Sequence, residues 1–290
     1  MTKQHLTSPV VLSSPTEVYN AVQAARRQGQ RVGLVLTMGA LHKGHLSLVA
    51  ASRRSCDVTF ATIFVNPTQF GPGEDFEKYP RNLSEDLTAF AEAGVDFVFT
   101  PSRDELYPEG FSTFVDPPTV ALPFEGQHRP QHFSGVATIV LKLFNILPAH
   151  VSFFGQKDYQ QCIVLRRMAK DFNLPIEIEM CPIIREEDGL AMSSRNRYLS
   201  PLERTQALAL SRGLREAENS FRSGETNTLK LVERIRTCLA DVQIEQIDYV
   251  AVVDAQTLEN VPVVERPAVA LLAARIGTTR LIDNTILRPH

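Results

Sequence analysis

The sequence predicts an α/β fold: a Rossmann-like, doubly wound parallel sheet over residues 1–184, followed by a smaller α+β domain over 185–290. Three observations predict it. Short β-branched or aromatic runs alternate with helix-period segments through the first part. The alternation stops near residue 184, where two charged amphipathic segments follow one another. Three strand-like runs then close the chain, the last two joined by a glycine-containing turn. Parallel neighbours need crossover connections, which are usually helical, so the alternation implies a mostly parallel sheet covered on both faces.

The strands of the first domain are read at RVGLVLT (31–37), VTFATIFV (58–65), VDFVFT (95–100), HVSFFG (150–155) and IEIEMCPII (176–184). The helix after the first of them is read with Leu46, Val49 and Ala50 on its apolar face. Glu85 and Asp86 begin another helix, where the dipole stabilises carboxylates. In FSGVATIVLKLFNIL, Val136, Ile139, Val140, Leu143, Phe144 and Leu147 recur at helical spacing, and Pro148 stops the segment. Beyond residue 184 the helices are read over 201–222 and 227–241, and the strands at IDYVAVVD, AVALLAARI and TRLIDNTIL, with IGTTR as the hairpin turn.

With 290 residues and 43% apolar composition the chain can bury substantial cores. A net charge of −3 gives no global electrostatic reason for a nucleic-acid or acidic-membrane partner, so any phosphate binding must be local. Cys56, Cys162, Cys181 and Cys238 are scattered singly, with neither disulfide nor zinc spacing. No run approaches the length of a membrane span, and the N-terminal segment lacks the pattern of a signal peptide. A cytoplasmic protein is expected.

In an open parallel sheet, ligands bind beyond the carboxyl ends of the strands. The segments there are polar: MGALHKGH, NPTQF, GQKDYQQ and REEDGLAMSSRN. GALHKGH nearly meets the phosphate-loop pattern GxxxxGK[ST], but His45 and Leu46 stand where Lys and Ser or Thr belong. Its glycines permit a tight turn into a helix whose N–H groups and positive dipole end face an anion. His42 and His45, three apart, share a face there, and imidazole donors could stabilise charge growing on a reacting phosphate. The competing reading is that they cap the turn.

Asn66 and Gln69 suit hydroxyls and carboxylates of a small substrate, or else form an ordinary Asn-Pro turn. Lys157, beside Asp158 and Gln161, points to an anionic partner or an ion pair with Asp158. Ser193, Ser194 and Arg195 can clamp a phosphate, and a hinge near them could close the second domain as a lid. Arg129 and His132 form a basic loop able to meet a phosphate or carboxylate, and a plain surface loop fits them equally.

Together, TMGALHKGH, FVNPTQF, YPRN, RPQHFSGVATIVLKLF, FGQKDYQQ, DGLAMSSRNRYL and RLIDN resemble the pantothenate synthetase (pantoate-β-alanine ligase) family, in matching order along nearly the whole chain. The HxGH element alone would indicate only the wider nucleotidyltransferase superfamily. The resemblance implies that pantoate and ATP form pantoyl adenylate and pyrophosphate, after which β-alanine displaces AMP to give pantothenate. It implies catalytic roles for His42, His45, Lys157, Ser193, Ser194 and Arg195. It implies ATP contacts from Met38, Gly44, Gly155, Lys157, Asp158, Ile184, Met192, Ser193, Ser194 and Arg195, and pantoate contacts from Met38, Asn66, Gln69 and Gln161. It also implies Mg²⁺ accompanying ATP, near Asp86, and a homodimer. The chain departs from the family at Leu36, where proline is usual, and at Gln131, where glycine is usual. The first restores a backbone N–H beside the pocket; the second is tolerated if the backbone there needs no positive φ.

Overall fold

The structure, a computed structural model, describes residues 8–289. In chain order its elements are β1 (Val10–Leu12), α1 (Pro15–Arg27), β2 (Val32–Thr37), α2 (Lys43–Ser55), β3 (Val58–Ile63), α3 (Leu83–Ala93), β4 (Phe97–Phe99), α4 (Arg103–Leu106), α5 (Glu125–His128), α6 (His132–Ile146), β5 (Val151–Gly155), α7 (Tyr159–Asp171) and β6 (Glu177–Cys181). Then follow α8 (Pro201–Arg222), α9 (Thr228–Ala240), β7 (Ile247–Asp254), β8 (Ala268–Ile276) and β9 (Thr279–Leu287). The described residues form two compact units: 8–155 with 161–182, and 156–160 with 183–289. Residues 156–160 thus group with the later part of the chain, and the second division falls after Pro182 instead of residue 184.

The first unit carries a six-stranded sheet in the order β1-β4-β3-β2-β5-β6, every pair parallel. From β2 the chain steps to β3 on one side, and later returns to place β5 on the other, which puts the topological switch point between β2 and β5. Alternate strand residues feed opposite faces. Leu34, Phe60, Phe99 and Phe154 pack with α1, α6 and α7, whereas Val35, Ala61, Val98 and Phe153 pack with α2 and α3. The sheet is therefore doubly wound, as the alternation implied.

Three details differ from the sequence reading. That reading contains no β1, because among the described residues this edge strand pairs only with β4 and leaves Val10 and Val11 about half exposed, so it offers no buried run to recognise. β3 and β6 stop short of the apolar runs that contain them; Pro182, directly after β6, has no N–H to extend a ladder. The buried face of α2 is Leu48, Val49, Ala51 and Ser52, while Ala50 is exposed. The cause lies at Gly33 on β2, where an added Cβ would stand 2.1 Å from Ser52 Oγ. The bare glycine lets the helix come close at Ser52, whose buried hydroxyl is satisfied by Thr59 Oγ1 at 2.8 Å.

In the second unit, α8 and α9 cover a three-stranded antiparallel sheet, β7-β8-β9. A Ser200–Glu203 capping box starts α8, and Asn227 caps α9. β8 and β9 form the expected hairpin, with Gly277 at φ +55° in the turn. Its core is built from Leu210, Leu214, Leu231, Ile235, Leu272 and Ile276 among others.

Candidate active site

The loop after β2 is built around backbone that L-residues seldom adopt. Gly39 has φ +80° and Ala40 φ +50°, two left-handed residues in succession. For alanine this costs about 1–2 kcal/mol. Asp86, from α3, holds the loop: its Oδ2 accepts from the Ala40 N–H at 3.0 Å and its Oδ1 from the Leu41 N–H at 2.8 Å. Thr37 closes the other end, accepting from the Gly39 N–H and donating to the Thr62 carbonyl. Asp86 is 4% exposed, and α3 is capped by Asn82. Both carboxylate oxygens of Asp86 are thereby engaged by backbone amides, each by one bond.

His42 is the N-cap of α2, its Nδ1 accepting from the Gly44 N–H at 3.1 Å. An acceptor at Nδ1 places the proton of a neutral ring on Nε2, so capping itself makes the far edge of the ring a donor. The two readings of this histidine are compatible because they use different nitrogens. The same bond engages the Gly44 amide, one of the N–H groups at the helix start. His45 stacks on His42 with ring centroids 4.1 Å apart and planes at 30°.

Beside this loop, Gln69 donates through Nε2 to Met38 Sδ at 3.1 Å and accepts at Oε1 from Asn66. A thioether is a weak acceptor, so a carboxylate or hydroxyl would compete well for that amide. Asn66 is 1% exposed, and its own groups are consumed internally: Nδ2 also donates to the Gly135 carbonyl, while Oδ1 accepts from Thr68 and Tyr107. Asn66 therefore holds the segment that Gln69 stands on. Gly135 is required inside α6 because an added Cβ would lie 2.2 Å from the Thr68 carbonyl oxygen.

Arg129 does meet a carboxylate, that of Glu74, through Nε and Nη2 at 2.7 and 2.6 Å. Its Nη2 and His132 Nδ1 both donate to the Gln69 carbonyl. Burial disfavours charge on Glu74, but the bonds and charge of Arg129 prevail and hold its carboxyl below the usual range. Burial, with Arg129 adding to it, pushes the His132 imidazole down to about 4. The ring stays neutral in the folded chain between about pH 4 and 6.5, while the unfolded chain binds a proton there. Its contribution is thus complete above about pH 6.5 and lost as pH falls through that window, up to about 3 kcal/mol. Denaturant midpoints measured from pH 7.5 to 4.5 are expected to fall more steeply for the parent chain than for His132→Gln; equal slopes would refute the assignment.

In the second unit, the backbone folds residues 184–192 into a small hairpin: Met192 N–H donates to the Ile184 carbonyl, and Gly189 turns at φ +95°. Arg204 grips its acidic tip through Glu186 and Asp188. Ser193 then caps a short 3₁₀ turn, Ser194–Tyr198, accepting from the Arg195 N–H at 3.3 Å. Buried Asn196 ties that turn back to Glu186 and to the Ala191 carbonyl. So Ile184, Met192, Ser193, Ser194 and Arg195 belong to one braced structure. Lys157 and Asp158 fall in the same unit, with Lys157 Nζ 3.6 Å from Asp158 Oδ1. Gly155 and Gln161 belong to the first unit, and a Cβ added at Gly155 would meet nothing within 4 Å.

Residues 10–286 match the pantoate-beta-alanine ligase family. The chain belongs to that family. It is 50% identical over 278 residues to pantothenate synthetase 1 of Bradyrhizobium diazoefficiens, covering 96% of this chain and 98% of the relative. Among solved structures it superposes on pantothenate synthetase from Thermus thermophilus with a TM-score of 0.92 at 41% identity, covering 97% of this chain and all of that one. Pantoate-beta-alanine ligase from Francisella tularensis, complexed with beta-gamma ATP and beta-alanine, gives a TM-score of 0.78 at 34% identity over 96% of this chain and 97% of its own.

The two departures from the ligase family pattern have simple settings. Leu36 lies within β2, in register with Thr62, so the strand runs unbroken to Thr37. Gln131 precedes α6 at φ −95°, which demands no glycine. The sequence reading passes over Glu74, Thr37, Tyr107 and Gly135; only Gly135 leaves a signal, as an isolated glycine inside a helical pattern.

Proposed function

We propose that the chain performs the reaction of its family, the ATP-dependent condensation of pantoate with β-alanine to pantothenate through a pantoyl adenylate. In the first step a carboxylate oxygen of pantoate attacks the α-phosphorus of ATP and pyrophosphate leaves. In the second the β-alanine amine attacks the acyl carbon, AMP leaves, and the amine proton passes to solvent. The observation that carries this reading is the stacked His42–His45 pair at the start of α2, with His42 locked as an Nε2 donor, directly after a strand bordering the switch point. Such donors stabilise charge on non-bridging and leaving oxygens.

In this reading Lys157, Ser193, Ser194 and Arg195 bind the phosphates, and Met38, Gly44, Gly155, Asp158, Ile184 and Met192 line the nucleotide site. Met38, Gln69 and Gln161 contact pantoate, with Asn66 holding Gln69 in place. Mg²⁺ enters as part of the ATP complex, held chiefly by phosphate oxygens; among the described residues no group of three or more His, Cys, Asp or Glu is disposed to hold an ion. A cytoplasmic location is supported by Cys56, Cys162, Cys181 and Cys238 all being thiols. Among the described residues no helix is long and apolar enough to cross a membrane. The homodimer is part of the same family reading, and sedimentation equilibrium tests it.

Pyrophosphate exchange into ATP tests the reaction. It is expected to depend on pantoate and to need no β-alanine, whereas AMP release needs both. Exchange indifferent to pantoate, or a stable dinucleotide product, would overturn the proposal.

A further inference from the structure

We propose that Asn284 is a positioning residue for Lys157, an inference that rests on the phosphate-binding role given to Lys157 above. Asn284 lies on β9, more than a hundred residues further along the chain, and is 2% exposed. Its Nδ2 donates to the Gln156 carbonyl at 2.9 Å and to the Lys157 carbonyl at 3.0 Å, while its Oδ1 accepts from Gln156 Nε2 at 3.1 Å. One primary amide thus fastens the two successive carbonyls that flank the Lys157 Cα, together with the side chain of Gln156. Only Asn or Gln carries two donors and an acceptor on one planar group, and Asn is the shorter. Aspartate would set a carboxylate against two carbonyls, and alanine would leave those carbonyls unsatisfied.

The fastening is reinforced on both sides. Neighbouring Asp283, 3% exposed, receives Arg185 at 2.6 and 3.0 Å and accepts from the Asn284 N–H at 2.8 Å. That fixes the strand from which Asn284 projects. On the other side Tyr159 OH donates to the Ala255 carbonyl at 2.8 Å, a second tie between the 156–160 segment and the end of β7. Lys157 follows β5 in sequence, yet its backbone is held by the sheet of the second unit. The bond from Asn284 to Lys157 is to its carbonyl, so Asn284 acts by placing the backbone from which a four-carbon side chain reaches. Misplacement of a catalytic group by about 1 Å costs on the order of 10²-fold in rate.

The test is a double-mutant cycle in pantoate-dependent exchange. Asn284→Ala is expected to lower kcat about 10–100-fold with little change in the KM for pantoate, and to cost less than about 2-fold when Lys157 is already alanine. Gln156→Ala, at a half-buried position outside the hairpin core, removes one of the three bonds and is expected to show the same non-additivity with a smaller loss, on the order of 3-fold. It serves should Asn284→Ala not fold. Equal losses with and without Lys157, or undiminished exchange in both variants, would overturn the positioning role. Lys157→Ala turning over at the parent rate would instead sink the phosphate role of Lys157, a distinct failure.

Discussion

Replacing His45 with alanine is expected to lower kcat for pantoate-dependent exchange about 10²–10³-fold, the usual cost of removing one preorganised donor from a developing oxyanion. The fold should survive, since the change removes a stacked ring from a helix start and leaves the loop's backbone bonds to Asp86 in place. His42 permits a finer dissection because its two nitrogens do different work. His42→Ala removes both cap and donor, so it should cost about 1 kcal/mol of stability as well as rate. His42→Asn replaces one capping acceptor by another and has no donor at the Nε2 position. It should melt near the parent temperature and still be slow. A fast, stable His42→Asn variant would show that capping is the whole of that histidine's role.

These histidines were legible because everything that gives them meaning is local: a strand, two glycines and a helix start within a dozen residues. The same is true of the strands other than edge strand β1, whose apolar runs are their own signal, and of α8 with its Ser200–Glu203 box. What supports the site was not legible. Asp86 bonds to Ala40 and Leu41 across 46 and 45 residues, Glu74 to Arg129 across 55, and Asn284 to Lys157 across 127. Each is a polar residue whose partner is selected by topology, and in sequence each has an adequate local explanation. Asp86 passes for a dipole-complementing helix residue, Asn284 for one of three consecutive polar residues in a strand. Ser52 shows the same limit within the core: it reads as polar, yet it faces inward because Gly33 leaves room and Thr59 satisfies it. Periodicity registers which side chains avoid water, and is silent on polar groups that are buried because they are paired.

Asp86 yields the second large effect, and its substitution separates two uses of one carboxylate. Hydrogen bonds to a charged acceptor contribute about 1.5–3 kcal/mol each. Asp86 makes two of them to a loop that carries left-handed Ala40, so Asp86→Ala is expected to cost about 3–6 kcal/mol. For a unit of this size that is a fall of roughly 6–24 °C in Tm. The loop it releases bears His42 and His45 directly downstream, so kcat should fall at least about 10-fold through their misplacement. Asp86→Asn is the sharper variant, because one amide face can still accept from Ala40 or Leu41 while its NH₂ opposes the remaining N–H. A brace predicts intermediate losses in Tm and kcat, with the Mg²⁺ concentration for half-maximal exchange unchanged. A carboxylate that ligated the ion would give the reverse: a near-parental Tm and a displaced Mg²⁺ requirement. The two measurements move in opposite senses because stability reports the bonds Asp86 makes to the folded backbone, whereas ion dependence reports only what it offers to the bound nucleotide.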